Sequence, residues 1–273
     1  MNKPESSELG KKTIYPTTYD KGLLFPIPRS EGRESIGIRD KIPFAGYDIW
    51  NAWEVSFLNS KGKPLVCIAS FVVPCESRFI TESKSLKLYL NSLNEHSFES
   101  LEQAKNTIAE DLSDCVKAKV QVIISPLNDY PHIIHKPKGI CLDDLDITWK
   151  SQAYSPSILA AVNNTGESET LFSNLLKSNC PVTNQPDWAT LIIKYTGSKL
   201  DHKSLLKYIL SFRDHNEFHE QCVERIYRDI SNLKQIESLT VSARYTRRGG
   251  IDINPIRSSE PLTTYENLRF IRQ

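Results

Sequence analysis

The sequence predicts an α+β fold made of two tandem modules, and three observations lead to this prediction. Two strand patterns joined by a tight turn lie in the first half, which is typical of an antiparallel hairpin. Amphipathic helical patterns follow the strands in both halves. The helical patterns of the two halves share identical residues 119 positions apart, which indicates a duplication. With about 150 residues per domain as a guide, 273 residues are enough for two modules.

We divide the chain into an N-terminal arm (1–40), a first module (41–146) and a second module (147–273). The arm is rich in proline, glycine and charged residues. Its aromatic and aliphatic residues, such as Tyr19 and Phe25, make it too apolar for a free tail. We therefore expect the arm to be ordered.

The first module contains both strand and helix patterns. Strands are predicted at 48–58, 65–73 and 118–124, and turn residues 59–63 join the first two. Helices are predicted at 85–93 and 100–115, and a loop at 126–139.

The second module repeats this order of elements. Strands are predicted at 188–195 and 237–245, and helices at 204–212 and 218–233. Six identical pairs support the duplication: Lys84/Lys203, Ser85/Ser204, Leu86/Leu205, Tyr89/Tyr208, Ser92/Ser211 and His96/His215. One inserted residue then aligns Phe98 with Phe218.

Charge and apolar patterning exclude several classes of protein. The chain has 34 Lys and Arg residues against 33 Asp and Glu residues, whereas a dedicated nucleic-acid binder usually has a strong basic excess. Its apolar runs are too short to span a bilayer, and its start has no signal-peptide pattern. The six cysteines form no CxxC pair, which disfavours a disulfide framework and a zinc ribbon. We expect a cytoplasmic enzyme that binds neither membrane nor nucleic acid.

A thiol and a carboxylate lie seven residues apart in the loop Cys180–Asp187. Pro181 and Pro186 stiffen this loop and keep the residues before them extended. A cysteine taken at random is more often a small buried apolar residue than a nucleophile. The polar residues around Cys180 disfavour that alternative, so the loop is a candidate catalytic site.

Glu82 and the pair His219 and Glu220 are candidates for ligand recognition. A carboxylate accepts two parallel N–H bonds, so Glu82 matches the N1–H and 2-amino edge of a guanine-like base. Glu82 also precedes a predicted helix, where a carboxylate stabilises the helix dipole. Both interpretations stay open at this point.

Several strings resemble those of the NADPH-dependent 7-cyano-7-deazaguanine reductase family, the nitrile reductases of the queuosine pathway. They are Glu82–Ser92, the Cys180–Trp188 loop, Phe218–Glu220 and Arg247–Pro255. Two further strings, Tyr19–Arg29 and Asp48–Asn51, resemble the long, two-module form of the family. The resemblance extends from about residue 15 to residue 273.

The resemblance implies a tunnelling fold, in which each module pairs an antiparallel sheet with two helices, and a homodimer. It implies reduction of the nitrile of 7-cyano-7-deazaguanine to the primary amine with two NADPH, with a deazapurine as the small-molecule partner. A thiolate adds reversibly to a nitrile carbon, so Cys180 fits the nucleophile that forms a thioimide. Asp187 falls on the position of the general acid, although a turn residue after Pro186 is the alternative.

By the same resemblance, the deazaguanine contacts are Thr81, Glu82, Ser83, His219 and Glu220. Because Glu82 and Cys180 belong to different modules, the resemblance implies an active site in a cleft between modules. His219 and Asp187 both remain candidates for activating the thiol.

The string Arg247–Gly250 is the candidate contact for the cofactor phosphates, since no GxGxxG motif indicates a Rossmann unit. Glycines let the backbone approach an anion, and arginines offer forked donors to the 2′-phosphate of NADPH. The resemblance places Ser83, Lys84, Arg248 and Gly249 on the cofactor. A charged hairpin tip without a ligand is the alternative.

Three other functions compete with the nitrile reductase. A tunnelling-fold purine or pterin enzyme would hold zinc, but the Cys180 loop lacks a second ligand, so we expect no metal. A non-catalytic purine- or RNA-binding module, or a purely structural protein, would leave Cys180 and Asp187 without a role.

Overall fold

The structure is a computed structural model that describes residues 15–162, 166–264 and 266–273. Residues 1–14 of the predicted arm lie outside the described residues. The mixture of antiparallel sheet and helices confirms the α+β class.

The described residues form ten strands and five α-helices. The strands are β1 (Pro26–Pro28), β2 (Ala45–Leu58), β3 (Pro64–Pro74), β4 (Phe79–Thr81), β5 (Gln121–Pro126), β6 (Ile140–Cys141), β7 (Glu167–Asn179), β8 (Pro186–Gly197), β9 (Ile236–Tyr245) and β10 (Ile251–Ser258). The helices are α1 (Arg29–Ser35), α2 (Ser83–Ser92), α3 (Leu101–Val116), α4 (His202–Ser211) and α5 (His219–Ser231).

The strand that follows α3 begins later than predicted. We expected it from residue 118, and β5 begins at Gln121. Lys117 ends the helix in the left-handed conformation, with φ of 56°. The Val120 N–H then donates to Ser113 Oγ at 2.9 Å, so this stretch wraps the helix end instead of joining the sheet.

The chain divides into two compact units. Unit 1 contains the described residues up to Gly32 together with Tyr47–Ile133 and Arg247–Ile253. Its sheet has the order β5-β3-β2, followed by residues 251–253 of β10. The buried apolar faces of α2 and α3 share one core with this sheet, which includes Tyr89, Leu93, Ile108, Phe57 and Phe71.

Unit 2 contains Arg33–Gly46, Ile134–Thr246 and Asn254–Gln273. Its sheet has the order β10-β9-β8-β7-β6, in which only the short β6 pairs in parallel with its neighbour among the described strands. The helices α4 and α5 bury their apolar residues, such as Leu205, Ile209 and Ile226.

The two units differ from the contiguous modules that the sequence predicts. Residues 247–253 were assigned to the second module, yet they lie in unit 1 because the Trp53 N–H donates to the Gly250 carbonyl at 2.9 Å. Within the predicted arm, residues 26–28 form β1 and pair with β4. The boundaries 41–146 and 147–273 remain a prediction about duplication along the chain.

A cluster of two tyrosines on one aspartate occurs in each unit. In unit 1, the Tyr19 and Tyr89 hydroxyls donate to Asp111 Oδ2 at 2.6 and 2.7 Å. In unit 2, the Tyr154 and Tyr208 hydroxyls donate to Asp229 Oδ2 at 2.6 and 2.5 Å. A histidine ring packs on one tyrosine of each cluster. The centroid distances are 4.9 Å for His96 on Tyr19 and 5.0 Å for His215 on Tyr154.

Part of the arm, from Tyr19 to Phe25, is itself repeated. In unit 1, the Phe25 N–H donates to Ser85 Oγ at 3.0 Å, and the Glu82 N–H donates to the Phe25 carbonyl at 2.8 Å. In unit 2, Ala160 makes the same two contacts with Ser204 and Asp201, at 3.1 and 3.0 Å. The duplication therefore includes the extended segment that begins at Tyr19 and recurs at Tyr154.

The described residues contain no helix that is both long and apolar enough to cross a membrane.

Candidate active site

Cys180 lies in the turn between β7 and β8. Its N–H donates to the Gln185 carbonyl at 2.8 Å, and its carbonyl accepts from the Asn184 N–H at 3.0 Å. The Asn216 side-chain amide also contacts the Cys180 carbonyl, at 3.4 Å, and Asn184 Oδ1, at 3.0 Å. Cys180 is buried, with 7% of its surface exposed, but the groups that surround its backbone are polar amides.

Asp187 lies at the start of β8, where it pairs with Ser178 across the hairpin. It is 4% exposed, and its Oδ2 lies 3.4 Å from His219 Nε2. His219 is the first residue of α5, and its ring packs on the Tyr245 ring with 4.0 Å between centroids. The hairpin thus holds a thiol and a carboxylate, and the carboxylate contacts an imidazole.

Burial raises the pKa of four other thiols, those of Cys67, Cys115, Cys141 and Cys222. For Cys222, burial and the negative charge of Glu217 raise the pKa to about 12. That thiol stays protonated at neutral pH, so it is a poor nucleophile.

Glu82 is the N-cap residue of α2 in unit 1. Its Oε1 accepts the Lys84 N–H at 2.7 Å, and its Oε2 accepts the Ser85 N–H at 2.8 Å. The side chain is 1% exposed. The cap interpretation is therefore confirmed. The cap leaves hydrogen-bonding capacity for a ligand, because an ionised carboxylate has about four lone-pair sites and the cap uses two.

The residues on either side of Glu82 also belong to unit 1. Thr81 ends β4, and its Oγ1 lies 3.6 Å from Cys115 Sγ. Ser83 and Lys84 form the first turn of α2 and are partly exposed. A helix N-terminus favours anionic groups, which suits Ser83 and Lys84 to phosphate contacts.

The candidate cofactor turn connects β9 to β10. Arg248 and Ile251 pair across it, with the Arg248 N–H donating to the Ile251 carbonyl at 2.8 Å. Its two central residues, Gly249 and Gly250, have φ of 58° and 80°, as a tight hairpin turn of the I′ type requires. The hairpin-tip interpretation is therefore correct for the backbone, and glycine is needed there.

Lys87 of α2 crosses this turn. A methyl group added to Gly249 would lie 3.1 Å from Lys87 Cε and 3.3 Å from Nζ, so the end of the Lys87 side chain lies close to the turn. A cleft opens beside the turn. It is lined by Ala52, Glu54, Ser56, Lys87, Leu90, Asn91, Asn94, Gly249, Gly250 and Ile251. Backbone close to a cation beside a cleft fits the phosphates of a dinucleotide.

The structure divides the predicted site residues between the two units. Unit 2 holds Cys180, Asp187, His219 and the buried Glu220. Unit 1 holds the rest: Thr81, Glu82, Ser83, Lys84, Arg248 and Gly249.

Sequence reasoning missed three residues of these sites. Lys87 lies one helical turn after Lys84, and that spacing was a usable signal. Tyr245 beneath His219 and Trp53 beside the turn had none, because tertiary packing between separate elements creates both contacts.

No group of three or more His, Cys, Asp or Glu side chains is arranged to hold a metal ion within residues 15–162, 166–264 and 266–273.

Comparisons with known proteins identify the family. A family model described as the N-terminal part of a nitrile reductase, 7-cyano-7-deazaguanine-reductase, matches residues 15–124. The NADPH-dependent 7-cyano-7-deazaguanine reductase of Dechloromonas aromatica is 51% identical over 270 residues, which cover 98% of this chain and 95% of the relative. The chain belongs to the 7-cyano-7-deazaguanine reductase family.

Further matches agree with this assignment. A second family model, described as a QueF-like protein, matches residues 186–263. Relatives with the same printed name come from Burkholderia orbicola, 48% identical over 99% of both chains, and from Desulfotalea psychrophila, 50% identical over 97% of this chain and 96% of the relative. The two family models together include every candidate site residue except Cys180, which lies between the two matched segments.

Proposed function

We propose that this chain reduces the nitrile of 7-cyano-7-deazaguanine to a primary amine with NADPH. Its relatives are named NADPH-dependent 7-cyano-7-deazaguanine reductases, which supports the substrate and the cofactor. The product would be 7-aminomethyl-7-deazaguanine, an intermediate of queuosine biosynthesis. The observation that carries this proposal is the β7–β8 hairpin. It holds Cys180 and Asp187, and Asp187 lies 3.4 Å from the imidazole of His219.

Cys180 is the proposed nucleophile. Its sulfur adds to the nitrile carbon and the nitrile nitrogen takes up a proton, which gives a thioimide. One hydride and one proton convert the thioimide to a hemithioaminal, whose C–S bond then breaks to release the cysteine thiol and leave an imine. A second hydride and proton give the amine. Each substrate therefore consumes two NADPH and two protons, and the cysteine is regenerated.

Asp187 is the proposed general acid, with His219 as its partner. A donor must lie within reach of the nitrogen as sulfur adds, and Asp187 is a buried carboxyl on the same β7–β8 hairpin as Cys180. His219 is 3.4 Å away and is held against Tyr245, so it can exchange the proton with Asp187.

Glu82 is the proposed anchor for the base. Its carboxylate accepts the N1–H and 2-amino group of the deazaguanine on lone pairs that the helix cap does not use. Thr81 and Ser83 are further contacts from unit 1. His219 and Glu220 contribute contacts from the first turn of α5.

NADPH supplies the hydride when it is bound. Arg248, Gly249, Ser83 and Lys84 are the proposed contacts for it, and Lys87 joins them because its side chain lies against Gly249. Arg248, Lys84 and Lys87 supply positive charge for the anionic phosphates, and the glycine turn lets the backbone approach the phosphates closely.

The proposal includes the fold family and the assembly. Each copy of the duplication corresponds to one tunnelling-fold module, and the active protein is a cytoplasmic homodimer. The repeated tyrosine clusters support the two modules. Light scattering on the purified protein tests the dimer, and a monomeric mass for the active enzyme would contradict it.

The test of function is an anaerobic assay with 7-cyano-7-deazaguanine and NADPH. We expect two NADPH oxidised for each nitrile consumed, measured from nicotinamide absorbance and from the amine by mass spectrometry. A ratio of one, or oxidation without amine, would contradict nitrile reduction to the amine.

Metal analysis of the same preparation separates this proposal from the zinc-dependent purine or pterin enzymes. We expect full activity after exhaustive chelation. Activity lost on chelation and restored by zinc would favour the zinc enzymes.

A further inference from the structure

Trp53 lies at a bulge in β2, next to the proposed cofactor turn. The register of β2 against β3 shifts between Ala52 and Val55, so Trp53 leaves the regular ladder. A bulge of this kind redirects a residue away from its expected partner. The main-chain N–H of Trp53 donates instead to the Gly250 carbonyl at 2.9 Å, and Trp53 is 6% exposed.

The indole ring of Trp53 carries Arg247. The guanidinium carbon of Arg247 lies 4.0 Å from the ring centroid, and Tyr130 packs edge-on against the same indole at 5.4 Å. A guanidinium stacked flat on an aromatic ring keeps its N–H groups in its own plane, where they can meet a phosphate. Arg247 is exposed.

The indole N–H of Trp53 fixes the other end of the turn. It donates to Asp252 Oδ2 at 2.5 Å, and the Asn51 amide donates to Asp252 Oδ1 at 2.8 Å. Asn51 accepts in turn from Ser70 Oγ at 2.8 Å. All four side chains are buried. Trp53 therefore contacts Arg247 before the turn, Gly250 within the turn and Asp252 after it.

We propose that Trp53 is a positioning residue for NADPH binding, and that the Arg247 guanidinium on its ring is a further contact for the cofactor phosphates. The inference rests on the proposed function, since it takes residues 247–250 as the cofactor turn. Trp53 sets the turn through Gly250 and Asp252, and it sets the orientation of Arg247 by stacking.

The test is the dissociation constant of NADPH, measured by its fluorescence in the absence of nitrile. We expect Trp53→Leu and Arg247→Ala each to weaken binding about fivefold, within the range of one exposed cation–π contact. Trp53→Phe keeps a ring under Arg247 and is expected to bind better than Trp53→Leu. The double variant Trp53→Leu/Arg247→Ala is expected to bind no worse than Trp53→Leu, because both changes remove the same interaction.

Arg78→Ala is the matched control. It removes an exposed guanidinium that also packs on a ring of unit 1, that of Phe79 at 5.3 Å. We expect its NADPH affinity to match the unmodified protein. An equal loss in Arg78→Ala would show that only net charge matters and would overturn the proposal.

Arg247→Lys tests the same point without touching the core. It keeps the charge but loses the planar stack, and we expect weaker NADPH binding than in the unmodified protein. Unchanged binding in Arg247→Lys, or losses that add fully in the double variant, would overturn the proposal.

Adduct formation on Cys180 separates this test from the proposed function. The adduct needs no cofactor, so it should form in every variant that folds. If the unmodified protein forms no adduct, the proposed function fails. If adducts form but the NADPH dissociation constant is unchanged in the Trp53 and Arg247 variants, the positioning role fails.

Discussion

The two copies of the duplication share their framework and differ where the chemistry is expected. Each has a tyrosine pair on an aspartate and a serine whose hydroxyl donates to the carbonyl of the helix N-cap residue. In each copy, the last residue of the long strand donates its main-chain N–H to a histidine carbonyl. Leu58 donates to His96 and Asn179 donates to His215, both at 2.9 Å. After that contact, the first copy continues with Asn59 and the second with Cys180.

The divergence indicates a division of labour between the copies. The turn after Leu58 is a hydrogen-bonded hairpin turn in which Asn59 Oδ1 accepts from the Lys61 and Lys63 N–H groups. The matching turn in the second copy carries the thiol and leads to Asp187. At the start of the following helix, the first copy has Glu82 and the second has the shorter Asp201. The shared residues maintain the fold, and the divergent residues account for the proposed activity.

The largest effect is expected from Cys180→Ala. Removal of the nucleophile should lower kcat by about 10⁴-fold or more, because no thioimide can form. The counterpart change Asn59→Asp keeps the turn acceptor and should leave kcat unchanged in the same NADPH-oxidation assay. Equal losses in the two variants would contradict the division of labour.

Asp187→Asn is expected to have the next largest effect. The amide cannot act as a general acid, so kcat should fall by about 10²- to 10³-fold while the protein stays folded. Formation of the Cys180 adduct, followed by mass spectrometry over time, should slow as well. Leu65 occupies the matching strand position in the first copy, and Leu65→Met is the control. A normal rate of adduct formation in Asp187→Asn would show that Asp187 is not the acid in the first step.

Glu217→Gln tests a feature present only in the second copy. Burial alone would raise the pKa of Glu217, but hydrogen bonds from His215 and Arg225 outweigh it and lower the pKa below 4.5. Because the folded pKa is the lower one, this carboxylate stabilises the fold above about pH 4.5 and loses that contribution as the pH falls. We expect the variant to lose about 2 kcal/mol of unfolding free energy at neutral pH.

Denaturant unfolding at several pH values measures this difference. The gap between the unmodified protein and Glu217→Gln should shrink as the pH falls through the folded pKa. A gap that does not change with pH would mean that the charge of Glu217 is not the stabilising element.

The smallest effects are expected in the shared framework. Burial, followed by the hydrogen bond to Asp111, raises the pKa of Tyr89, so this hydroxyl stays a donor at neutral pH. Burial and the charge of Asp229 do the same for Tyr208. Tyr89→Phe and Tyr208→Phe should each cost about 1 kcal/mol in unfolding free energy, with little change in kcat. A large loss of kcat in only one of them would break the symmetry of the framework.

Much of the fold could be predicted because local patterns dominate it. The helices α2 to α5 begin and end within two residues of the predicted positions, since their apolar periodicity is strong. The strand β7 was not predicted, because a register shift between Ser173 and Leu176 interrupts its alternation. The strand β10, which begins directly after the glycine turn, was not predicted either.

The site could be predicted in part. The stiff hairpin from Cys180 to Asp187 follows from its prolines, and β8 does begin at Pro186. The contact between Asp187 and His219 depends on how α5 packs against the β7–β8 hairpin, which no local pattern encodes. The same holds for Lys87 beside Gly249.

The most direct measurement is the intact mass of the protein after incubation with 7-cyano-7-deazaguanine and no NADPH. The account predicts a mass increase equal to one substrate molecule, mapped by peptide analysis to Cys180 and absent in Cys180→Ala. An unchanged protein mass, from a preparation that turns over once NADPH is added, or an adduct on another cysteine such as Cys222, would contradict it.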